Sequence, residues 1–268
     1  MPELPEVETV ARQLKPEILN KVIKKAIIHD TKLIRLNVDK IENTKIADVY
    51  RLGKWIVIDL VNTENGKKQF LCVHLRMTGR LLVKEFDHAN MKHLRVEFQL
   101  DEGQFYFQDV RRFGVIELLD SLDSVQPKGI DPLSCELDSK RLHNMMAGTR
   151  QNIKTWLLRQ DKLVGLGNIY ASEILYAAKV NPQKQAGDIS YNEAKSIFTH
   201  TRNILKKSIK NCGTTFSDFQ NAKGETGEYQ KYLKVYKREG ENCRVCGTTI
   251  LRIVQQQRST FYCPNCQK

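Results

Sequence analysis

The chain has 268 residues, of which 41% are hydrophobic, and it carries a formal net charge of +12. That hydrophobic fraction argues against disorder, no apolar run is long enough to cross a bilayer, and no signal-peptide pattern opens the chain, so a cytoplasmic location is the default expectation. The positive charge predicts a polyanionic partner, nucleic acid before a membrane surface, with a merely basic globular protein as the alternative.

The N-terminus begins MPELPE, with a proline directly after the initiator methionine. Methionine is usually removed before a small residue, which would leave Pro2 with a free secondary amine. A terminal amine titrates at about pH 8, so part of it is neutral under physiological conditions and can form a Schiff base with an aldehyde-level sugar carbon. Glu3 and Glu6 lie nearby as acids or anchors. The alternative, favoured for these residues taken alone, is an ordinary chain start with proline at the edge of a helix or strand.

Hydrophobic periodicity divides the rest of the chain into a β-type part and a helical part. Apolar residues at helical spacing predict a helix over residues 7–19. Over 22–119 the pattern changes to short strands with hairpin turns at 65–66 and 102–103, which predicts an antiparallel sandwich or barrel. After a linker that contains proline and glycine, four helices are predicted, over residues 139–147, 152–160, 167–178 and 190–208.

The seven cysteines divide into two groups. Four of them form two CxxC pairs separated by sixteen residues, a spacing typical of one tetrahedral structural zinc site: Cys243, Cys246, Cys263 and Cys266. A pair of disulfides is the alternative, and the cytosolic setting argues against it. The other three are predicted to be small buried or half-buried residues: Cys72, Cys135 and Cys212.

Residues 248–254 and 258–262 predict a two-stranded hairpin between the cysteine pairs. A hairpin this small is unstable alone in water, so the metal would hold it, and its turn would present Arg258. Residues 231–268 also carry eight Lys/Arg against two Asp/Glu, which is half of the net charge of the chain. This tail is therefore the expected place for phosphate contacts.

A second anion site is predicted at residues 165–168 (GLGN), where a helix opens after a short turn. The glycines let the backbone approach a ligand, and the helix N-terminus together with the Asn168 amide would donate to a phosphate. Arg150 and Lys154, just upstream, would complete a phosphate clamp. The alternatives are a tight turn with Asn168 as the N-cap and, for Lys154 alone, an ordinary solvated lysine.

Two predicted loop tips carry side chains suited to a base stack. In residues 111–114 (RRFG), Phe113 lies beside Arg111 and a second arginine, and an exposed aromatic ring there could wedge into the stack of a kinked duplex. In residues 74–79 (HLRMTG), Met77 could fill the space left by a displaced base. For Met77 taken alone, packing in the core is the favoured interpretation.

Three further features are candidate parts of a DNA site. Lys54, in RLGKW at 51–55, begins a strand and is a candidate phosphate contact or proton donor, provided that it faces the same cleft as Pro2. Residues 213–236 form a long polar segment with glycines; a loop of this length is usually functional and could close over an extruded base. His93 is interpreted as a structural histidine on the sequence alone.

Taken together, these motifs resemble those of the bacterial formamidopyrimidine-DNA glycosylases, enzymes that repair 8-oxoguanine. The resemblance covers the whole chain in order, and it is carried by MPELPEVET at 1–9, RLGKW at 51–55, HLRMTGRL at 74–81, DVRRFG at 109–114, GLGNIYASE at 165–173, GTTFSDF at 213–219 and the four-cysteine segment at 243–267. It implies an α+β multidomain fold: an N-terminal antiparallel β-sandwich with a flanking helix, then a helical domain with a helix-two-turn-helix and a zinc-bound β-hairpin. The implied domains are a catalytic β-sandwich over 1–120, a linker over 121–138, a helical domain with a lesion-capping loop over 139–236 and a zinc finger over 237–268.

The resemblance also implies a role for each candidate residue. Pro2 would attack C1′ of the damaged nucleotide with acid–base help from Glu3, and Glu6 would be a structural acid. Lys54 would donate the proton for β-elimination and Arg258 the proton for δ-elimination. The vacated stack would be filled by the side chains of Met77, Arg111 and Phe113. Of these, Arg111 would face the estranged cytosine. The implied phosphate ligands are Lys154, Asn168 and Arg258. Further DNA contacts are implied for Arg150 and His93.

The implied function is that of a bifunctional DNA glycosylase and AP lyase. The enzyme would excise 8-oxoguanine and formamidopyrimidines from duplex DNA through an N-terminal proline Schiff base, and it would nick the strand by β,δ-elimination as a step of base excision repair. The expected partner is double-stranded DNA with oxidised bases. One structural zinc ion per chain, a monomeric state and a nucleoid-associated cytoplasmic location complete the expectation.

Two rival functions stay open. An endonuclease VIII-like glycosylase shares the implied architecture but prefers oxidised pyrimidines; its N-terminus usually reads PEGPE, so Leu4 and the RRF tip favour the purine enzyme. The other rival is a catalytically silent zinc-dependent protein that only binds or bends DNA. The complete set of Pro2, Glu3 and Lys54 argues against it.

The chain departs from the usual family motifs at three places. Leu94-Arg95 stands where the family often has Asp-His, Cys212 replaces the first of two glycines, and Thr155 replaces the proline of an IKPW motif. None of these positions is one of the implied catalytic residues. The Cys212 change falls where the base-capping loop begins, so it bears on loop closure and on the range of lesions accepted.

Overall fold

The computed structural model describes residues 1–31, 34, 36–83, 92–216 and 219–268. Two compact units divide the chain: the first contains 1–126 and 211–230, and the second contains 127–210 and 231–268. Within the described ranges, no helix has the length and apolar character needed to cross a membrane. This division by contacts places residues 211–230 with the N-terminal part of the chain. The domain boundaries implied by the family resemblance are a different kind of division, and they stay a prediction.

The first unit is a helix followed by an antiparallel β domain. Its described residues form helix α1 (Leu4–Ile18), a 3-10 turn (Val38–Lys40) and strands β1 (Val22–Ile28), β2 (Thr44–Leu52), β3 (Trp55–Asn62), β4 (Lys68–His74), β5 (Gly79–Leu82), β6 (Leu94–Leu100), β7 (Gln104–Asp109) and β8 (Val115–Leu119). Neighbouring strands pair antiparallel in the order β5-β7-β6-β1-β2-β3-β4-β8. The predicted antiparallel β domain with a flanking helix is therefore confirmed.

The strands and α1 bury one apolar core, and the sequence pattern explains how. Strand β6 alternates buried and half-buried residues, as expected where one face of a sheet is covered. The apolar residues that α1 buries recur at helical spacing, and they pack in one cluster with buried residues from all eight strands: Val7, Val10, Ala11, Leu14 and Ile18. Gly66 and Gly103, with φ of +69° and +81°, confirm the two predicted hairpin turns.

The second unit contains helices α2 (Ser139–Met146), α3 (Ile153–Leu157), α4 (Asn168–Ala177) and α5 (Tyr191–Lys210), then the hairpin of β9 (Leu251–Gln255) and β10 (Arg258–Tyr262). The predicted helices and hairpin are confirmed in type and order. Helix α3 is shorter than predicted, because Gln160 folds back and donates to the carbonyl oxygens of Leu158 and Leu166. Strand β9 starts later than predicted, because Thr248 belongs to the cysteine loop, where its carbonyl accepts from Cys243 N–H.

The three cysteines outside the CxxC pairs differ in exposure. Cys72 is buried in β4 and Cys212 is half-buried, as predicted. Cys135 is exposed, so the prediction that it is buried or half-buried is wrong. Its position explains the difference, since it lies in the irregular segment before α2 rather than on the inward face of a strand or helix.

Residues 211–230 pack onto α1 and the strands of the first unit. The Gln13 side chain accepts a hydrogen bond from Ala222 N–H at 3.1 Å, and the Ala222 carbonyl accepts from Val83 N–H at 2.9 Å. Ala222 is also buried in the same core cluster as the apolar face of α1. This packing brings the start of the segment against the first turn of α1.

Candidate functional site

The first turn of α1 is built around two buried acids. Glu3 is the N-cap residue: its side chain accepts from the backbone of Glu6, while Glu6 Oε2 accepts from Glu3 N–H at 2.8 Å. This reciprocal capping satisfies two backbone donors that the start of a helix leaves open. Pro2 is buried directly before the cap, whereas half of Met1 is exposed. The cap therefore holds Pro2 at a defined position, one residue before an anchored acid.

Glu6 also ties the N-terminus to the start of residues 211–230. Its Oε1 accepts from Thr214 N–H at 2.7 Å. A Cβ atom on Gly213 would stand 2.9 Å from both Cγ and Oε1 of Glu6, and the φ of +79° at Gly213 independently favours glycine. These contacts support the interpretation of Glu6 as a structural acid.

Cys212, one of the departures from the family motifs, contacts the same helix. Its φ is +56°, and Gln13 Nε2 lies 3.8 Å from its sulfur atom. Because Gln13 also accepts from Ala222 N–H, one side chain of α1 contacts both the residue before the predicted capping segment and a residue within it. Within that segment, residues 217 and 218 lie outside the described residues.

Lys54 is half-buried in the turn between β2 and β3, and this turn is fastened to α1. Arg51 donates to Glu8 Oε2 at 2.8 Å and to the carbonyl of Gly53 at 3.1 Å. Burial acts to raise the pKa of Glu8, but the charges and hydrogen bonds of Arg51 and Arg12 lower it overall. Glu8 is therefore ionised at neutral pH and fixes the turn relative to α1.

The charge of Lys54 also acts on His74, at the end of β4. Burial, followed by the positive charges of Arg76 and Lys54, lowers the pKa of His74 to about 4. The neutral imidazole accepts from Arg76 N–H through Nδ1 at 3.0 Å, and its ring meets the Trp55 ring edge-on with centres 5.0 Å apart. The ring next to these two positive charges is therefore neutral at physiological pH, and its one acceptor nitrogen is used by Arg76 N–H.

Both predicted loop tips present their candidate side chains at the surface. Met77 is 41% exposed and Phe113 is 49% exposed. The guanidinium carbon of Arg111 lies 4.8 Å from the centre of the Phe113 ring, so these two side chains form one stacked pair. The core-packing interpretation of Met77 is wrong, because this residue lies in the turn between β4 and β5, outside the alternation of either strand.

In the second unit, Lys154 and Asn168 converge on one backbone carbonyl. Lys154 Nζ donates to Ser259 O at 2.9 Å and to Thr260 Oγ1 at 2.8 Å, while Asn168 Nδ2 donates to Ser259 O at 2.8 Å. Lys154 is fully buried, so its interpretation as a solvated lysine is wrong, and these oxygens take the place of water around the ammonium group. Asn168 is the first residue of α4 and Gly167 is the N-cap, so the interpretation of Asn168 as the N-cap is also wrong.

The exposed cation nearest in sequence to this contact is Arg258, which begins β10 immediately before Ser259. Asn168 Oδ1 is buried and makes no hydrogen bond among the described residues, so that side chain retains an unused acceptor. Arg150 is exposed between α2 and α3, and His93 is half-buried just before β6. The second unit thus presents the exposed Arg258 on a hairpin in which the Ser259 carbonyl accepts from the buried Lys154 and the half-buried Asn168.

The four paired cysteines meet as predicted. All their sulfur atoms lie within 4.8 Å of one another, with 3.9 Å between Cys243 and Cys266 and 3.4 Å between Cys246 and Cys263. Four thiolates bound to zinc at about 2.3 Å would lie about 3.8 Å apart, so the cluster fits one tetrahedral ion and the predicted structural zinc site is confirmed. These separations far exceed a disulfide bond of about 2.05 Å, so the disulfide interpretation is wrong.

Helix α4 supports the cysteine cluster from outside. The Tyr176 hydroxyl lies 3.2 Å from Cys243 Sγ, and burial raises the pKa of this phenol, so it stays protonated and can donate to a thiolate. One turn earlier, the buried carboxylate of Glu173 accepts three backbone hydrogen bonds from the residues that lead into the cluster: Lys234, Val235 and Tyr236. Both contacts fix the cysteine segment against α4.

Three family models match the chain and together cover most of it. They are described as the formamidopyrimidine-DNA glycosylase N-terminal domain (residues 1–116), the formamidopyrimidine-DNA glycosylase H2TH domain (129–220) and the zinc finger found in FPG and IleRS (240–268). A formamidopyrimidine-DNA glycosylase of Carboxydothermus hydrogenoformans is 37% identical over 274 residues, with 100% of each chain covered.

Solved structures give the same result for the fold. A mutant FPG of Lactococcus lactis in complex with a Fapy-dG containing DNA matches with a TM-score of 0.89 and 32% identity, covering 100% of both chains. The wild-type FPG (MutM) of the same organism, in complex with an oxidized pyrimidine containing DNA, matches with a TM-score of 0.87 at 32% identity, again over 100% of both chains. The α+β multidomain architecture expected from the sequence is confirmed at this level.

Proposed function

The chain belongs to the formamidopyrimidine-DNA glycosylase family, and on that premise we propose that it excises oxidised purines from duplex DNA and then cuts the strand as an AP lyase. Membership makes it a DNA glycosylase with a zinc finger and with DNA as its partner. Cys243, Cys246, Cys263 and Cys266 would hold the zinc, which supplies structure: with four protein ligands it has no open position for substrate.

In the proposed mechanism, the neutral amine of Pro2 attacks C1′ of the damaged nucleotide, the N-glycosidic bond breaks, and the base leaves with a proton. The sugar ring opens to an iminium ion on Pro2, with Glu3 assisting the proton transfers. The iminium acidifies C2′, so loss of a C2′ proton expels the 3′ phosphate, and a second elimination expels the 5′ phosphate. Lys54 and Arg258 are the proposed proton donors for these two eliminations.

One observation carries the proposal of amine chemistry: the chain buries two carboxylates to anchor the residues that follow Pro2. Glu3 and Glu6 are 3% and 1% exposed. Burying a carboxylate costs free energy unless it is hydrogen-bonded, and here both acids are used on the backbone of the first helical turn and of Thr214. A protein that only binds DNA has no evident need for this arrangement directly after an N-terminal proline.

The DNA contacts are part of the proposal. Met77, Arg111 and Phe113 would enter the space left by the extruded base, since their tips are exposed and carry apolar or planar groups. Phosphates would be held by Lys154, Asn168 and Arg258, with Arg150 and His93 as further contacts. Because Lys154 and Asn168 both donate to Ser259 O, a phosphate would have to share or replace that carbonyl.

The experiment begins with mass spectrometry to establish that Met1 has been removed. The processed protein is then incubated with an 8-oxoguanine:cytosine duplex and borohydride, and the adduct is mapped. A covalent adduct on Pro2, with strand cleavage when borohydride is omitted, would support the proposal. Pro2→Gly should lose at least about a hundredfold in the rate of base removal, about 3 kcal/mol of transition-state stabilisation, because it replaces the ring-held secondary amine that attacks C1′ by a primary amine on a flexible residue. Pro16→Ala, a proline of the same helix without a terminal amine, is the matched control.

A second candidate substrate has an observation in its favour. A related FPG has been solved with an oxidized pyrimidine containing DNA. Trapping on an oxidised-pyrimidine duplex, with none on 8-oxoguanine, would move the proposal to the endonuclease VIII-like activity. Tight binding of both duplexes without an adduct, with an abasic-site control also negative, would leave a silent DNA-binding protein.

A further inference from the structure

Asp109, the last residue of β7, is a fully buried acid without an assigned role in catalysis or DNA binding. Its carboxylate accepts three hydrogen bonds. Oδ1 accepts from the Thr78 hydroxyl at 2.5 Å and from Arg111 N–H at 3.2 Å, and Oδ2 accepts from Gly114 N–H at 2.6 Å. A buried carboxylate with three local donors is a rigid centre, because moving any donor leaves a charge unsatisfied.

The three donors come from the two exposed tips. Thr78 directly follows Met77 in the tip between β4 and β5, and Arg111 and Gly114 bound the tip that carries Phe113. Thr78 Oγ1 also accepts from Arg111 N–H at 3.1 Å, so the tips are linked directly as well as through the acid. One carboxylate therefore sets the position of both tips within the first unit.

Gly114 fixes the backbone path of the second tip. A Cβ atom on Gly114 would stand 2.5 Å from Cζ of Phe107 and 3.1 Å from Asp109 Oδ2. The backbone therefore passes so close to the acid and to the buried ring that no larger residue fits without a shift. The close packing of the Gly114 backbone on Phe107 and the 2.6 Å hydrogen bond from Gly114 N–H to Asp109 both hold the end of this tip against the sheet.

Arg95 holds the Asp109 backbone from behind. Its Nε and Nη2 both donate to the Asp109 carbonyl, at 2.9 and 2.7 Å, and its Nη1 lies 3.3 Å from Asp30 Oδ2. Asp30 in turn pairs with Arg112 Nη2 at 2.7 Å, at the base of the second tip. Position 95 is where related motifs often have histidine, which lacks the forked donors that let arginine grip a single carbonyl twice.

We propose that Asp109 and Arg95 are positioning residues that hold Met77, Arg111 and Phe113 in the arrangement needed to fill the stack around an extruded base. This inference rests on the proposed function, because it assumes that these side chains enter a DNA duplex. Rigid support matters here because three exposed side chains that are already aligned lose less conformational entropy when the duplex closes around them.

The test uses a readout that needs no chemistry. A duplex carries a tetrahydrofuran abasic analogue with 2-aminopurine opposite it, and the fluorescence of the 2-aminopurine reports whether the tips have entered the stack. Wild-type protein should change that fluorescence on binding. Asp109→Asn replaces one acceptor oxygen by an amide donor, so it should bind the duplex and lose most of the change. Single-turnover excision of 8-oxoguanine should fall by about ten- to hundredfold, as expected for losing a hydrogen bond to a charged group.

Two further comparisons separate positioning from general destabilisation. Thr78→Val removes one donor at nearly constant shape and should reproduce the loss, whereas Thr78→Ser keeps the hydroxyl and should restore both readouts. Arg95→His should give a smaller loss in the same direction. Asp59→Asn, a half-buried acid of β3 that lies on the same sheet, is the matched control and should leave the fluorescence change intact.

The inference is overturned when Asp109→Asn and Thr78→Val are folded and keep the wild-type fluorescence change and excision rate. If Asp109→Asn does not fold, the two Thr78 variants decide the question. Equal fluorescence changes and excision rates for Thr78→Val and Thr78→Ser would contradict the inference. Absence of an adduct on Pro2 in wild-type protein would contradict the proposed chemistry and leave the fluorescence test valid, so the two proposals fail separately.

Discussion

The lowered pKa of the half-buried His74 leads to a prediction with a defined size and sign. Burial, with the cations Arg76 and Lys54 nearby, lowers the pKa of His74 from 6.5 to about 4. At neutral pH the imidazole is uncharged in both the folded and the unfolded chain. Below pH 6.5 the unfolded chain takes up a proton that the folded chain refuses until about pH 4. The stabilisation is therefore complete above the unfolded pKa and is lost as the pH falls through this window.

The magnitude follows from the difference between the two pKa values. Each pKa unit corresponds to about 1.4 kcal/mol, so the free energy of unfolding should fall by about 3 kcal/mol between pH 7 and pH 4 on account of this one residue. Acid also displaces zinc from cysteines, which would weaken the second unit in the same range. The relevant quantity is therefore the difference between the wild type and a variant without the histidine.

His74→Asn is the suitable perturbation, because its side-chain oxygen can still accept from Arg76 N–H. Urea unfolding at several pH values should give a difference in stability, wild type minus variant, that shrinks as the pH falls from 6.5 to 4. Proton NMR of the ring C2–H, assigned by its absence in the variant, should titrate with a midpoint near 4. Lys54→Met should raise that midpoint because it removes a nearby positive charge, whereas Lys25→Met, an exposed lysine of β1, is the control. A midpoint at or above 6.5 would refute the reasoning.

Three other contacts lead to predictions about stability and zinc binding. Glu8→Gln should lower the free energy of unfolding at pH 7 by about 2 kcal/mol, since its carboxylate bonds to Arg51. Because the pKa of Glu8 is lowered in the folded chain, this gap should be complete above the ordinary pKa of 4.5 and should close only as the pH falls from there through the lowered pKa; urea curves at a series of acidic pH values check this. Tyr176→Phe should weaken zinc binding by about tenfold in a chelator competition, with Tyr191→Phe, an exposed tyrosine of α5, as the control. Gly213→Ala should cost clearly more than Gly66→Ala in thermal unfolding: both positions have positive φ, worth about 1 kcal/mol for alanine, but only the first would press a methyl group on Glu6.

Local features of the sequence predicted the elements well, because the periodicity of a helix or strand is written in neighbouring residues. The apolar spacing from Val7 to Ile18 identified α1, and Gly66 and Gly103 identified the two hairpin turns. The four-cysteine site was predictable for the same reason, since ligand spacing within each CxxC pair is local and only the pairing of the two knuckles is not.

Exposure of single side chains was predicted poorly, because it depends on contacts between distant parts of the chain. Lys154 has the composition of a surface residue, yet its partners Ser259 and Thr260 lie more than a hundred positions further on. Met77 has the opposite character: it is an apolar residue, yet it lies in a turn and is 41% exposed. In both cases the residue type gave the wrong answer and only the tertiary contacts could correct it.

Tertiary contacts also show what two of the departures from the family motifs do in the structure. Arg95 is not one of the implied catalytic residues; it donates twice to the carbonyl of Asp109, the acid that links the two exposed tips. Cys212 likewise lies one residue before Gly213, where the backbone passes Glu6, and its sulfur faces Gln13. Two of the departures thus lie beside segments that are proposed to contact DNA, while the residues proposed for bond breaking match the family motifs. We therefore expect differences from its relatives in how the duplex is distorted and held, rather than in the amine chemistry at Pro2.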